Sequence, residues 1–147
     1  MNRVEATELI LEAKKEKGLT WKELAEKVEM SDVWTTAALM GQVYMNEEEA
    51  AKATDALGLG PEVAEALQNY PMRGGLDPLV PTDPLVYRFY EIMQVYGVPM
   101  KQLIHEEFGD GIMSAIDLTV DVEREEDSDG DRVKITYSGK FLPYKKW

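Results

Sequence analysis

The C-terminal third of the sequence has the pattern of a single β-hairpin, and this feature constrains the fold most strongly. Apolar and polar residues alternate from Ile112 to Val122 and again from Val133 to Tyr137. Alternation with a period of two predicts strands that each have one apolar face. Two strands alone are only marginally stable in water and leave unpaired edges. The hairpin therefore needs a covering surface, and we expect a second copy of the chain to supply it in a symmetric dimer.

A helix that is apolar on two sides is predicted before the hairpin. Asp83 is suited to cap its start, Pro84 occupies its first position, and Gly97 is expected to end it. One side carries Leu85, Phe89, Ile92 and Tyr96, and the opposite side carries Tyr87, Tyr90 and Gln94. We expect this helix to be buried on both sides. A separate helix is predicted from about Pro99, with His105 exposed on its surface.

Three polar residues stand out among these apolar positions. Arg88 and Glu91 lie one helical turn apart on the flank of the apolar stripe, and Ser114 lies on the apolar face of the first strand. The two charges either form an ordinary ion pair or meet a ligand at a covered surface. Ser114 either bonds to nearby backbone or donates to something small and polar. An arginine and a hydroxyl in a dry pocket suit a small planar anion, because the guanidinium presents a fork of donors.

The first seventy residues predict five short helices in a helix-turn-helix-like, repressor-like bundle. Capping boxes are formed by Thr20 with Glu23 and by Asn46 with Glu49. Helix-turn-helix bundles often bind DNA, and lysine and arginine supply most of their non-specific affinity. However, no lysine or arginine occurs between Lys27 and Lys52, the segment that contains the candidate recognition helix. We therefore predict that the bundle does not bind nucleic acid.

The composition limits the possible chemistry and location. The chain of 147 residues has no cysteine and one histidine, which excludes disulfides and thiolate nucleophiles and argues against the common zinc clusters. Its net charge of -12 repels nucleic acids and anionic membranes at long range. No apolar run approaches the length of a membrane span, and the start lacks the pattern of a signal peptide. A cytoplasmic protein without a membrane partner is therefore predicted.

Two segments without a helix or strand pattern separate the predicted elements. Residues 71–83 are rich in proline and glycine and predict an extended connector between a bundle of residues 1–70 and a domain of residues 84–147. Residues 127–131 have a faint likeness to a calcium loop, but the required glycine and glutamate positions are not filled. This second segment predicts a polar hairpin turn. The fold class that follows is α+β, with the helical bundle followed by a small dimerising α+β domain.

Four blocks of the sequence carry a resemblance to a known family. They are YRFYE at 87–91, QVYG at 94–97, HEEFGDGIMSAI at 105–116 and GKFLP at 139–143. These blocks are long and have little degeneracy, and they resemble the cyanase (cyanate hydratase, cyanate lyase) family. The resemblance is colinear through the second half of the chain and fits the first half as well.

The resemblance implies an enzyme and a set of catalytic residues. Cyanases combine cyanate with bicarbonate to give carbamate and carbon dioxide, and the carbamate then releases ammonia and a second carbon dioxide. The family's catalytic arginine, glutamate and serine fall on Arg88, Glu91 and Ser114. The implied assembly is a homodecamer, a pentamer of dimers with active sites between subunits. No metal or organic cofactor is implied, because bicarbonate, as co-substrate, supplies the nucleophile; Glu91 would either hold Arg88 or handle a proton.

Two other functions remain open at this stage. The helix-turn-helix pattern also fits a transcription regulator whose C-terminal half senses a ligand and forms oligomers. The single hairpin and the two-sided helix also fit an oligomerisation module without catalytic activity. Duplex binding would favour the first alternative, and an inactive protein with normal assembly would favour the second.

Overall fold

The computed structural model describes residues 1–74 and 79–147, which group into two compact units. The first unit comprises Met1–Gly74 together with Asp121–Lys134, and the second comprises the rest of the described chain. The predicted connector of residues 71–83 includes residues 75–78, which lie outside the described residues. The predicted domain boundaries stay predictions.

Five helices form the N-terminal bundle, as the sequence predicts. They are α1 (Arg3–Glu16), α2 (Trp21–Val28), α3 (Asp32–Leu39), α4 (Glu47–Leu57) and α5 (Pro61–Gln68). Both predicted capping boxes are present, at the starts of α2 and α4. Each box pairs two backbone N–H groups that the helix itself leaves without partners. The bundle has its own apolar core, whose largest members include Ile10, Leu24, Leu39, Leu57 and Leu67.

Arg3 ties three parts of this bundle together. Its guanidinium donates to the carbonyl oxygens of Ala38 at 2.8 Å, Val43 at 3.0 Å and Ala66 at 3.2 Å. Ala38 and Ala66 lie near the ends of α3 and α5, and their carbonyl oxygens also accept from the amides of Gly41 and Asn69. One side chain therefore satisfies groups that are distant in sequence.

The turn between α2 and α3 contains a backbone conformation that is uncommon for a residue other than glycine. Glu29 has φ 64°, in the left-handed region. Its carboxylate pairs with the ammonium of Lys52, which also lies 2.8 Å from a carboxylate oxygen of Glu48. These two carboxylates raise the pKa of Lys52, chiefly through the hydrogen bond that its ammonium donates to Glu29.

One long helix replaces the two helices that the sequence predicts before the hairpin. Helix α6 (Pro84–Phe108) runs for 25 residues, so Gly97 does not end it and Pro99 lies inside it. The predicted cap at its start is confirmed, because the Asp83 carboxylate accepts from the amides of Leu85 and Val86. The predicted break is wrong because an internal proline removes a single helical hydrogen bond, which the bonds of the flanking turns outweigh.

The hairpin forms as predicted, with β1 (Gly111–Glu125) paired to β2 (Arg132–Pro143) in a two-stranded sheet. Its turn is held by Asp127, whose carboxylate accepts from the amide of Asp129 and whose carbonyl accepts from the amide of Gly130, each at 3.0 Å. The polar hairpin turn predicted at residues 127–131 is therefore confirmed.

The apolar sides of α6 are uncovered within a single chain. None of the 25 described residues of α6 is buried, although this helix was predicted to be covered on both sides. The exposed positions include Leu85, Phe89, Ile92 and Tyr96, the stripe that the sequence pattern picks out. Periodicity reports that a face is apolar and does not report which chain covers it. Among the described residues, no helix is both long and apolar enough to cross a membrane.

Candidate active site

Helix α6 places Arg88 and Glu91 in direct contact. One guanidinium nitrogen, Nη1 of Arg88, lies 2.9 Å from Oε2 of Glu91. The guanidinium carbon also lies 5.5 Å from the centre of the Tyr87 ring, within the range of a cation–π contact. In the single chain the side chains of Arg88 and Glu91 are 60% and 50% exposed. The ion-pair alternative is therefore the one that the single chain shows, and most of the guanidinium's donor fork remains available.

Ser114 is held by the backbone of its own strand. It is only 5% exposed, and its Oγ accepts from the amide of Ile116 at 3.1 Å and from the amide of Asp117 at 2.9 Å. A hydroxyl has two acceptor lone pairs and one O–H donor. Because the two amides occupy the acceptor side, the O–H is the part of Ser114 that is left to donate to a ligand.

These hydrogen bonds bend β1 next to Ser114. In a regular strand, residues three apart are separated by about 10 Å, so Ser114 Oγ reaches the amide of Asp117 only where the strand folds back. Beyond the bend, Leu118 and Val120 are partly buried, whereas Ile116 is 99% exposed. Leu118 and Val120 follow the alternation predicted from Ser114, and Ile116, predicted to lie on the same face, is uncovered in the single chain.

The three predicted site residues are only partly brought together. Arg88 and Glu91 form a pair, whereas the hydrogen bonds of Ser114 within the described residues are to its own strand. An apolar groove of about 420 Å³ lies between α6 and the hairpin of the same unit. It is lined by Met93, Met100, Ile104 and Ile112 among others, and by none of the three site residues. Within one chain, this groove is therefore a separate feature from the candidate site.

His105 has a role that the sequence pattern missed. It is partly buried, and its Nε2 lies 3.3 Å from the carbonyl oxygen of Gly111 at the start of β1. The prediction of an exposed histidine is therefore wrong, because the turn after α6 brings the strand back against the helix. Phe108 supports the same junction by stacking on Phe141 with ring centres 5.1 Å apart. The only sequence signal for this junction is the glycine-rich turn that follows the helix.

No metal centre is formed by acidic residues and histidine in the part of the chain that the structure describes. Residues 1–74 and 79–147 contain no group of three or more such side chains arranged to hold a metal ion. The candidate site is thus a cation, a carboxylate and a hydroxyl, a set suited to binding a small anion.

These features define an α+β protein with a helix-turn-helix-like bundle, a long helix that carries an arginine–glutamate pair, and a hairpin that carries a buried serine. Two family models match the sequence. The cyanate hydratase N-terminal model matches residues 3–71, and the cyanate lyase C-terminal domain model matches residues 78–146. The chain belongs to the cyanate lyase family.

Individual relatives agree over the full length. A cyanate hydratase from Trichormus variabilis is 57% identical and one from Prochlorococcus marinus strain NATL2A is 56% identical, each with all of both chains covered. The crystal structure of a cyanase from T. urticae superposes with a TM-score of 0.85 at 43% identity, covering 94% of this chain and 96% of the other. The α+β fold predicted from the sequence is confirmed.

Proposed function

We infer that this chain is a carbon–nitrogen lyase that decomposes cyanate. The observation that carries the inference is its identity of more than half to cyanate hydratases along its whole length. We propose further that the reaction depends on bicarbonate and passes through carbamate. Arg88, Glu91 and Ser114 are the residues proposed to carry it, and all three lie in the region that matches the cyanate lyase C-terminal domain.

The first chemical problem is the repulsion between two anions. Cyanate and bicarbonate each carry one negative charge, and two such charges 4 Å apart repel by about 4 kcal/mol at an effective dielectric constant of 20. The guanidinium of Arg88 offsets this repulsion, and it does so more strongly where water is excluded. Since Arg88 is 60% exposed in the single chain, the proposal requires a neighbouring copy to cover it.

The second problem is orientation. A bicarbonate oxygen forms a bond to the cyanate carbon, and the nitrogen takes up two protons, one from bicarbonate and one from solvent. The bond between the bridging oxygen and the former bicarbonate carbon then breaks, which releases carbon dioxide and leaves carbamate. Carbamate then takes up a proton and separates into ammonia and a second carbon dioxide. Ser114 donates its O–H to one of the anions, and its fixed position holds the reacting atoms close to contact distance. Because bicarbonate supplies the nucleophilic oxygen, we propose that no metal or organic cofactor takes part.

The contact between Glu91 and Arg88 supports a positioning role for the carboxylate. The hydrogen bond of 2.9 Å limits the directions in which the guanidinium can point. Glu91 thereby orients the remaining donors of Arg88 toward the anions. Transfer of a proton by Glu91 is the alternative, and it would require the carboxylate to reach the nitrogen of cyanate.

Release of ammonia from cyanate tests this function. We expect ammonia only when bicarbonate is present, and a loss of at least tenfold in kcat/KM on Arg88→Lys, because lysine keeps the charge but not the donor fork. Arg124→Lys is the matched control, since Arg124 forms a similar exposed pair with Asp131 at 3.1 Å. Ammonia release at the same rate without bicarbonate would contradict the proposed chemistry.

A further inference from the structure

We propose that Gly139 is a positioning residue for Ser114, an inference that rests on the function proposed above. Gly139 lies within β2, and the part of β1 nearest to it contains Met113 and Ser114. The direction of the Ser114 O–H depends on the backbone around it, because its oxygen is bonded to two amides of the same strand. A residue that sets this backbone therefore sets the direction of the hydroxyl.

There is no space for a side chain at position 139. A Cβ atom there would lie 2.7 Å from the carbonyl oxygen of Ser114 and 2.5 Å from Cγ of Met113, and real Cβ contacts essentially never fall below 3.0 Å. The Met113 side chain is flexible and can move aside. The carbonyl oxygen of Ser114 moves only when its peptide unit moves. The overlap with the Ser114 carbonyl oxygen is therefore the one that an added methyl group cannot avoid.

The close approach, and not the backbone conformation, is what requires glycine at this position. Gly139 is not among the glycines with positive φ, so alanine can adopt the same backbone angles. The peptide unit that carries the Ser114 carbonyl is also the first unit between Ser114 and the amides of Ile116 and Asp117. Displacing this carbonyl therefore disturbs the two hydrogen bonds that hold the hydroxyl.

The test compares two glycines of the same hairpin. Gly139→Ala is expected to lower kcat by about ten- to a hundredfold, because small misplacements of a catalytic group have effects of this size. Gly111→Ala is the matched control. A Cβ at Gly111 would lie 2.4 Å from the carbonyl oxygen of Leu142 and 2.5 Å from Cζ of Phe141, so its overlap is as severe but is directed away from Ser114.

Hydrogen exchange measured by mass spectrometry on the same proteins gives a readout that does not depend on activity. We expect the amides of Ile116 and Asp117 to lose protection in Gly139→Ala and to keep it in Gly111→Ala. If Gly139→Ala retains wild-type kcat, or if Gly111→Ala shows the same loss of both kcat and protection, the proposal is wrong.

A double variant keeps the proposal testable if Gly139→Ala alone does not fold. In Met113→Ala/Gly139→Ala the overlap with the Met113 side chain is removed and the overlap with the Ser114 carbonyl remains, so kcat should stay low. Wild-type activity in this double variant, or failure of both variants to fold, would overturn the positioning role. If the wild-type protein releases no ammonia from cyanate although the predicted exchange differences appear, the proposed function fails and the geometric coupling stands.

Discussion

The hydroxyl oxygen of Ser114 accepts hydrogen bonds from the backbone of its own strand. Two amides, from Ile116 and Asp117, occupy the oxygen, and the residue is nearly fully buried. The result is a donor with a defined direction, which is what an anion site needs. At Arg88 the opposite holds, since the guanidinium is exposed in one chain and uses Nη1 to contact Glu91. The surroundings that hold Ser114 therefore lie within its own chain, whereas Arg88 requires a neighbouring copy to cover it.

Replacing Ser114 by alanine removes the proposed donor to the substrate and leaves two amides without their acceptor. We expect kcat to fall by about 10²- to 10³-fold, the effect of deleting one donor of this kind. A loss of stability of about 1–3 kcal/mol should accompany it, because unpaired amides retain their desolvation cost. Ser138→Ala, at an exposed position in β2, should have neither effect in ammonia-release and thermal-unfolding measurements. Equal kcat for Ser114→Ala and wild type would rule out a catalytic role for the hydroxyl.

The capping box of α2 predicts a pH dependence. The Thr20 amide and hydroxyl donate to the Glu23 carboxylate and hold the pKa of Glu23 below its ordinary value. A carboxyl with a depressed pKa in the folded state stabilises that state above its unfolded pKa, and this contribution is lost as the pH falls through the folded pKa. Glu23→Gln keeps the cap geometry without the charge. In thermal unfolding, wild type should therefore be more stable than Glu23→Gln at neutral pH, and this difference should disappear in acid. A difference in stability that does not vary with pH would be inconsistent with the depressed pKa of Glu23 as its cause.

At the scale of elements, helix ends follow local rules more closely than helix interiors do. Asp83 and the two capping boxes act where the sequence places them, because an unpaired N–H group at a helix start needs an acceptor within a few residues. Gly97 and Pro99 do not end α6, because both are compatible with an established helix at a limited cost. Glu29 is the complementary case, a helix end that takes up a left-handed conformation without glycine.

The left-handed conformation of Glu29 predicts a stabilising substitution. Glycine adopts φ 64° without the steric cost of about 1–2 kcal/mol that other residues incur there. Glu29→Gly also loses the exposed pair with Lys52, which contributes about 1 kcal/mol at most. We expect a net gain of about 0.5–1 kcal/mol in thermal or urea unfolding of the full chain. Glu48→Gln removes the other partner of Lys52 without a backbone change, and a more stabilising effect from this control would contradict the argument.

At the scale of the whole molecule, the bundle and the C-terminal elements differ in whether their apolar side chains are buried within one chain. The bundle buries its own core, whereas α6 has no buried residue in the single chain. A long apolar helix and a two-stranded sheet are costly to expose to water, so the C-terminal elements require association. We propose that oligomer formation supplies this cover and brings Arg88 toward Ser114 of a neighbouring copy. The decamer implied by the family resemblance stays a prediction.

Ile92→Glu tests whether association and activity depend on the same face. A carboxylate on the exposed apolar stripe should block association, because its desolvation opposes burial, and ammonia release should fall with it. Circular dichroism should still show the helices of the bundle, which has a separate core. The control is Leu11→Glu, at a similarly exposed leucine of α1. Light scattering that shows wild-type assembly together with full activity for Ile92→Glu would refute the proposal.

The sequence by itself determined the five helices of the bundle, the capping boxes at the starts of α2 and α4, the cap at Asp83, and the hairpin with its polar turn. These features depend on residues at most a few positions apart, and the interactions involved are local. The sequence left open whether Arg88 and Glu91 pair with each other. The tertiary structure decided the continuity of α6, the contact of His105 with Gly111 and the close approach of Gly139 to Ser114. The physical reason is that the last two depend on which strand or turn lies alongside. Excluded volume and hydrogen bonding between segments far apart in sequence leave no periodic signal in either segment alone.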